Sequence, residues 1–296
     1  MNGVINFYKP KGMTSHDAVN LLRKALKTKK IGHTGTLDPN ASGVLPLCVG
    51  KGTRIAEYLL DIDKEYIGEL TLGLRTDTQD QDGKIIASSE KKVSQNEIIA
   101  VMSKYTGEIS QIPPMYSALK HKGRKLYELA REGIEIERKP RNIKIYENNI
   151  LYIDDNRKIL FYTRCSRGTY IRTLCDDIGI ELGTYGYMSY LLRVGVGPFK
   201  IENSYSIDYI KSLNIEEISK IITPMDKALD HFDNIVIEKE LYPKLINGVT
   251  LPIDPEKEYI VNKLYKVYCN DTFIGLGRPI NSNSDIILKM DKVLII

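Results

Sequence analysis

A chain of 296 residues that is 42% hydrophobic is long enough for roughly two domains and apolar enough to bury a sizeable core. A net charge of +4 does not mark a nucleic-acid binder by itself, so any such reading must come from where the lysines and arginines lie. No apolar run approaches the ~20 residues of a membrane helix, Lys9, Pro10 and Lys11 interrupt the start a signal peptide would need, and the four cysteines form no CxxC pair; a cytoplasmic protein without disulfides or zinc is expected.

Residues 4–8 predict a strand, ended by Lys9-Pro10-Lys11-Gly12. Thr14 or Ser15 then caps a helix, with Ala18, Leu21, Leu22, Ala25 and Leu26 at helical spacing and Lys24, Lys27, Lys29 and Lys30 near its end, where cations suit the dipole. The stretch 31–54, with five glycines, is a poor helix and a poor strand. Gly32, Gly35 and Gly43 permit tight turns, while Pro39 pushes Asp38 towards an extended conformation. Asp38 is the one acid of this stretch, and a carboxylate fixed on an ordered loop suits nucleophilic or general-base work. The plainer alternative is an Asx turn in which Asp38 caps nearby amides. Residues 44–49 form an apolar run bounded by Gly43 and Gly50, which predicts a buried strand anchoring the loop.

A short helix is expected over 53–60 and a strand over 64–73, where Tyr66, Gly68, Leu70 and Leu72 share one face and Tyr66 reads as a core tyrosine. The alternating acids of 76–83 suggest a hairpin turn. A calcium loop is excluded because Ser88 stands where its last glutamate belongs, and Gly50-Lys51-Gly52-Thr53 lacks the spacing of a phosphate loop. Ser94 and Glu97 form a capping box for a helix to about Lys104. Pro113 and Pro114 forbid a central strand, and His121, Lys122, Arg124 and Lys125 cluster beside Tyr116 and Tyr127. Cations interleaved with aromatic rings serve a looped nucleic acid, though an ordinary solvated surface carries the same mixture. Paired strands follow over 143–153 and 158–165. Thr169 is a candidate cap for a helix to about Leu182, which puts Arg172 in the first turn, where its charge opposes the dipole and calls for an anionic partner. A strand over 188–193, short helices over 203–231 and a β-rich module from Ile235 complete the reading.

Five segments, in order, resemble the TruB family of tRNA pseudouridine synthases. They are Lys9-Pro10-Lys11-Gly12-Met13-Thr14-Ser15-His16-Asp17, Gly32-His33-Thr34-Gly35-Thr36-Leu37-Asp38-Pro39, Lys64-Glu65-Tyr66 with Leu72-Gly73-Leu74-Arg75-Thr76-Asp77-Thr78, Pro113-Pro114-Met115-Tyr116-Ser117-Ala118, and residues 165–174. The resemblance implies an α+β fold: a mixed, mostly antiparallel sheet flanked by helices over 1–232, and a small PUA-like RNA-binding module over 233–296. Removing that module is expected to weaken RNA binding more than bound turnover. The implied activity is conversion of uridine to pseudouridine at position 55, in the T-loop of tRNA, after the base is flipped at a cost of a few kcal/mol.

The resemblance makes Asp38 the nucleophile or base at the sugar, with Arg172 as its ion-pair partner. Tyr66 and Tyr170 would contact the base or sugar, and Tyr66 is also a candidate base for the final proton. His33 would support the flipped state, Leu191 would wall the pocket, and Lys9 is assigned to substrate binding. The tRNA T-stem-loop is the implied partner of a monomer that uses no cofactor, metal or membrane. Two alternatives are an RNA-folding protein without chemistry and a guide-RNA-dependent rRNA pseudouridine synthase; the intact Asp38, Tyr66 and Arg172 oppose the first, and the lack of long lysine-rich tails opposes the second. Where the family often has Ala-His-Leu the chain has Gly186-Tyr187-Met188, and Leu192 and Gly195 replace frequent arginines, which bears on RNA contacts beside the site.

Overall fold

The computed structural model describes residues 1–254, 257–282 and 285–295. Strand β1 (Gly3–Lys9) leads to helix α1 (Ser15–Ala25), whose cap is Thr14: its hydroxyl accepts from the Asp17 amide and the Asp17 carboxylate returns to the Thr14 amide. Strands β2 (Ile31–His33) and β3 (Ser42–Val49) flank the glycine-rich loop, and β3 is buried along its whole length. Residues 50–55 make a 3-10 turn before the short helix α2 (Ala56–Leu60), so the helix expected over 53–60 is split. Strand β4 (Lys64–Leu72) alternates buried and half-buried positions as its period-2 pattern predicts.

The acidic turn joins β5 (Leu74–Thr76) to β6 (Ile85–Ser88). Helix α3 (Gln95–Lys104) starts at the Ser94/Glu97 capping box and precedes β7 (Gly107–Gln111). The basic cluster is a small hairpin, β8 (Lys120–His121) and β9 (Arg124–Lys125), followed by α4 (Leu126–Arg131). Strands β10 (Arg141–Asp154) and β11 (Lys158–Cys165) pair antiparallel. Helix α5 (Ile171–Leu182) begins after Tyr170, not at a Thr169 cap: the Thr169 hydroxyl instead donates to the Ser166 carbonyl at 3.0 Å. Strands β12 (Gly186–Val196) and β13 (Phe199–Lys200) follow, then helices α6 (Ile207–Ser212), α7 (Ile215–Lys220) and α8 (Met225–Ala228).

The main sheet runs β1-β3-β12-β4-β11-β10-β7, with β2 beside β3 and β13 beside β12. Its neighbours are antiparallel except β3 and β12, which run parallel where Gly43 faces Arg193. This is the mixed, mostly antiparallel sheet of the expected α+β fold. Gly43, at φ +113°, is required there because a side chain would strike the Arg193 backbone. At Gly186 the packing is tight but not prohibitive: a Cβ would fall 2.7 Å from Cδ1 of the flexible Leu70 side chain and 3.1 Å from the Cys175 carbonyl on α5. Helices α3 and α5 cover one part of the sheet through Ile98, Met102, Leu174 and Ile178, and α1 covers another through Val19 and Leu22.

The tail contributes β14 (Asn234–Ile237), α9 (Tyr242–Ile246), β15 (Leu251–Pro252), β16 (Tyr265–Cys269), β17 (Thr272–Ser282) and β18 (Asp285–Val293). Its strands form a separate sheet, ordered β14-β16-β17-β18-β15. Yet Leu276 and Leu294 are fully buried among Val4, Cys48, Ile55, Leu59 and Phe199 of the main body. Each buried leucine is worth about 1.5–3 kcal/mol, so the tail supports the main sheet as well as lying beside it.

Candidate active site

The loop between β2 and β3 is fixed from several sides. Ser15 Oγ donates to the Leu37 carbonyl at 3.1 Å and accepts from the Leu37 amide at 2.9 Å, while the Gly12 amide donates to the Pro39 carbonyl at 2.8 Å. The first residue of α1 and the turn before it therefore hold the two residues flanking Asp38. The Asp38 side chain stays 37% exposed at the mouth of the site, and Arg172 Nε lies 3.0 Å from its Oδ2. This ion pair stands where the Asx-turn reading would place a carboxylate capping amides.

Arg172, whose side chain is 7% exposed, is fixed beyond that pair. It donates to the Thr78 carbonyl at 3.1 Å and the Tyr116 carbonyl at 2.9 Å, and its Nη1 lies 3.7 Å from Asp80 Oδ2. One guanidinium thus ties together the Asp38 loop, the acidic turn, the proline-rich segment and α5. Burial raises the Asp80 carboxyl above its ordinary pKa, against a Thr78 hydrogen bond and the Arg172 charge that lower it.

Tyr66 projects from β4 onto the face that carries Leu37, Met188 and Leu191, and it is 8% exposed. Leu191 is 6% exposed in that cluster, which suits a wall. Burial pushes the Tyr66 phenol up to about 12, with the Arg193 charge as the main opposing effect. That opposing charge stands directly across the strand pair from Tyr66.

His33 ends β2, half-buried, and burial followed by the Arg193 and His16 charges lowers its pKa, which favours neutral imidazole at pH 7. Tyr170 is half-buried just before α5, held by Gln111: the Gln111 amide donates to the Tyr170 carbonyl at 3.0 Å and accepts from its N–H at 2.8 Å. Lys9 departs from expectation. Its side chain is fully buried, and Nζ donates to the carbonyls of Pro10, Met13 and Pro39 at 3.0, 2.7 and 3.2 Å. An ammonium has three protons, so none is left for a substrate, and Lys9 fixes the loop instead. Burial brings its pKa down to about 8.

Sequence pattern alone does not bring Ser15, Asp80, Gln111 or Arg193 into the site. The one local signal is at Arg193, the single charged residue of its strand and a buried one. Among the described residues no group of three or more His, Cys, Asp or Glu side chains is arranged to hold a metal ion.

Residues 23–171 match the model of the TruB family pseudouridylate synthase N-terminal domain, and residues 172–230 match the tRNA pseudouridylate synthase B C-terminal domain. The chain is 44% identical over 301 residues to tRNA pseudouridine synthase B of Alkaliphilus oremlandii (strain OhILAs), covering 99% of this chain and 98% of that protein. It is 45% identical over 297 residues to tRNA pseudouridine synthase B of Clostridium kluyveri, covering 100% of both. Among solved structures, a chain of a Cbf5-Nop10-Gar1 complex superposes with a TM-score of 0.76 at 31% identity, over 99% of this chain and 85% of that one. With the family match beginning in α1 and running through the Asp38 loop into α5, the chain belongs to the TruB family of pseudouridylate synthases and is an isomerase.

Proposed function

We propose that this protein converts uridine to pseudouridine in the T-loop of tRNA, acting alone, with Asp38 as the reacting carboxylate. The observation that carries this reading is the Asp38–Arg172 pair: a half-exposed carboxylate on a loop fixed at both flanks, 3.0 Å from a buried guanidinium. A carboxylate in such a pair keeps its direction, as a nucleophile or base at the sugar must.

The target uridine leaves its stack and enters between the Asp38 loop and the Tyr66 face, with His33, Tyr170 and Leu191 around it. The glycosidic C–N bond breaks, the uracil turns, and its C5 joins the same sugar carbon. C5 then carries both the sugar and a proton. Tyr66, having passed its phenolic proton to solvent, takes the C5 proton on its oxygen; the C–H electron pair restores the C5–C6 double bond, and N1, freed from the sugar, takes a proton from solvent.

Residues 1–232 form the catalytic domain in this reading. Residues 233–296 are a PUA-like module that grips RNA phosphates, the exposed cations of β8–β9 add to that grip, and the enzyme is a cytoplasmic monomer. Stand-alone action is supported by identities of 44–45% over the full length of proteins named tRNA pseudouridine synthase B, against 31% for the Cbf5 chain. Incubating the purified protein with an unmodified tRNA transcript, and mapping pseudouridine along it, is the test. One modified T-loop uridine without added guide RNA is expected; no product, or product only with a guide, overturns the proposal.

A further inference from the structure

Arg193 is one of the most deeply buried side chains in the molecule, at 1% exposure, and it pairs with no carboxylate among the described residues. Its Nε donates to the Val44 carbonyl at 2.7 Å and its Nη1 reaches the Thr36 carbonyl at 3.5 Å. Nη2 is buried and meets no acceptor. An apolar side chain would fill this position more cheaply, since burying a charge without a counter-ion is costly. The β-bulge that follows Arg193 in the β12–β4 pairing re-aims the strand at this point, and Arg193 itself stands opposite Tyr66.

The Arg193 charge acts on Lys9, His33, Lys64 and Tyr66. Of these four, Tyr66 alone offers an oxygen, and only there does the proposed reaction put negative charge. We infer that Arg193 is a positioning residue for the final proton transfer: buried directly across the strand pair from Tyr66, with one nitrogen free of any acceptor, it stabilises the phenolate that takes the proton from C5. The hydroxyl first releases its own proton to solvent. The phenolate oxygen then accepts the C5 proton as the C–H pair returns to the ring, which regenerates the phenol. Arg172 cannot serve here, because its donors are committed to Asp38, Thr78 and Tyr116.

The inference rests on the proposed role of Tyr66, and a double-mutant cycle separates the two. Single-turnover pseudouridine formation on an unmodified tRNA transcript is measured for wild type, Arg193→Met, Arg193→Lys, Tyr66→Phe and each Arg193 change combined with Tyr66→Phe, with tRNA affinity and thermal unfolding followed in parallel. Arg193→Met is expected to slow the step by about tenfold or more at little change in affinity, and Arg193→Lys, which keeps the charge, to recover most of that loss. In the Tyr66→Phe background the Arg193→Met change should cost less than about twofold more. The same loss with and without the Tyr66 hydroxyl, a Lys variant as slow as the Met variant, or a loss confined to affinity overturns the inference. If Arg193→Met does not fold, the Arg193→Lys cycle decides: a residual loss undiminished in the Tyr66→Phe background overturns it. A Tyr66→Phe enzyme within about tenfold of wild type would instead sink the Tyr66 reading itself.

Discussion

Two groups of cations in this molecule do opposite kinds of work. Lys9 and Arg172, beside Asp38, are buried and bound to backbone oxygens and carboxylates; Lys64 is buried against the Leu60 and Ile62 carbonyls and Arg193 against those of Val44 and Thr36. On the β8–β9 hairpin, Lys120, Lys122 and Arg124 are exposed, above a small apolar cluster of Met115, Leu126 and Leu129. Lys125 and Arg131 there lie over the Tyr127 ring, at 5.4 and 5.5 Å from its centre. The buried group makes a fixed field, whereas the exposed group can follow a flexible phosphate chain. Removing a buried cation should change rate, and removing an exposed one should change affinity.

The largest effect is expected at Arg172. Replacing it with methionine leaves Asp38 and Asp80 facing each other without their shared cation, and single-turnover rate should fall by about a thousandfold while tRNA affinity changes little. A loss mainly in affinity would merge the two groups. Next comes Tyr66→Phe, which keeps ring packing and should lose at least about a hundredfold in single-turnover rate, as removal of a well-placed base does. At the hairpin, Lys120→Ala with Lys122→Ala should leave bound turnover unchanged and weaken tRNA binding. The slope of log affinity against log salt should become shallower by about one for each phosphate no longer neutralised by a lysine. An unchanged salt slope would exclude these lysines from the RNA interface.

The smallest effect concerns stability and pH. Burial holds the Lys64 ammonium down at about 8, below its ordinary 10.5. Between those values the unfolded chain binds a proton that the folded one has released, so this group makes the protein more stable as pH rises from about 8 to 10.5. Equilibrium unfolding should therefore show the wild type gaining on Lys64→Met across that window. Parallel curves for the two proteins would place Lys64 in water-like surroundings.

The elements legible in the sequence are those set by local pattern: the Thr14 and Ser94 capping boxes, the alternation of β4 and the apolar run of β3. Asp38 is legible as a lone acid among glycines. What pattern cannot show is which distant groups meet. The acidic turn reads as solvent-facing, yet it places Thr78 and Asp80 on Arg172, 94 and 92 positions along the chain. The resemblance assigns Lys9 to substrate binding, and only the fold reveals three carbonyls converging on it. The tail looks separable because its strands are contiguous in sequence. Leu276 and Leu294 instead enter a core shared with β1 and β3, so truncation from Ile235 should destabilise the whole protein as well as weaken RNA binding.

The central claim is that Asp38 performs chemistry and does not merely hold structure, and Asp38→Asn tests it most directly because the amide keeps the size of the side chain and removes its charge. Pseudouridine formation on an unmodified tRNA transcript should fall below about one per cent of wild type, with tRNA affinity nearly unchanged, since losing a reacting carboxylate costs several kcal/mol of barrier. Turnover above that level with the transcript fully bound would contradict the account.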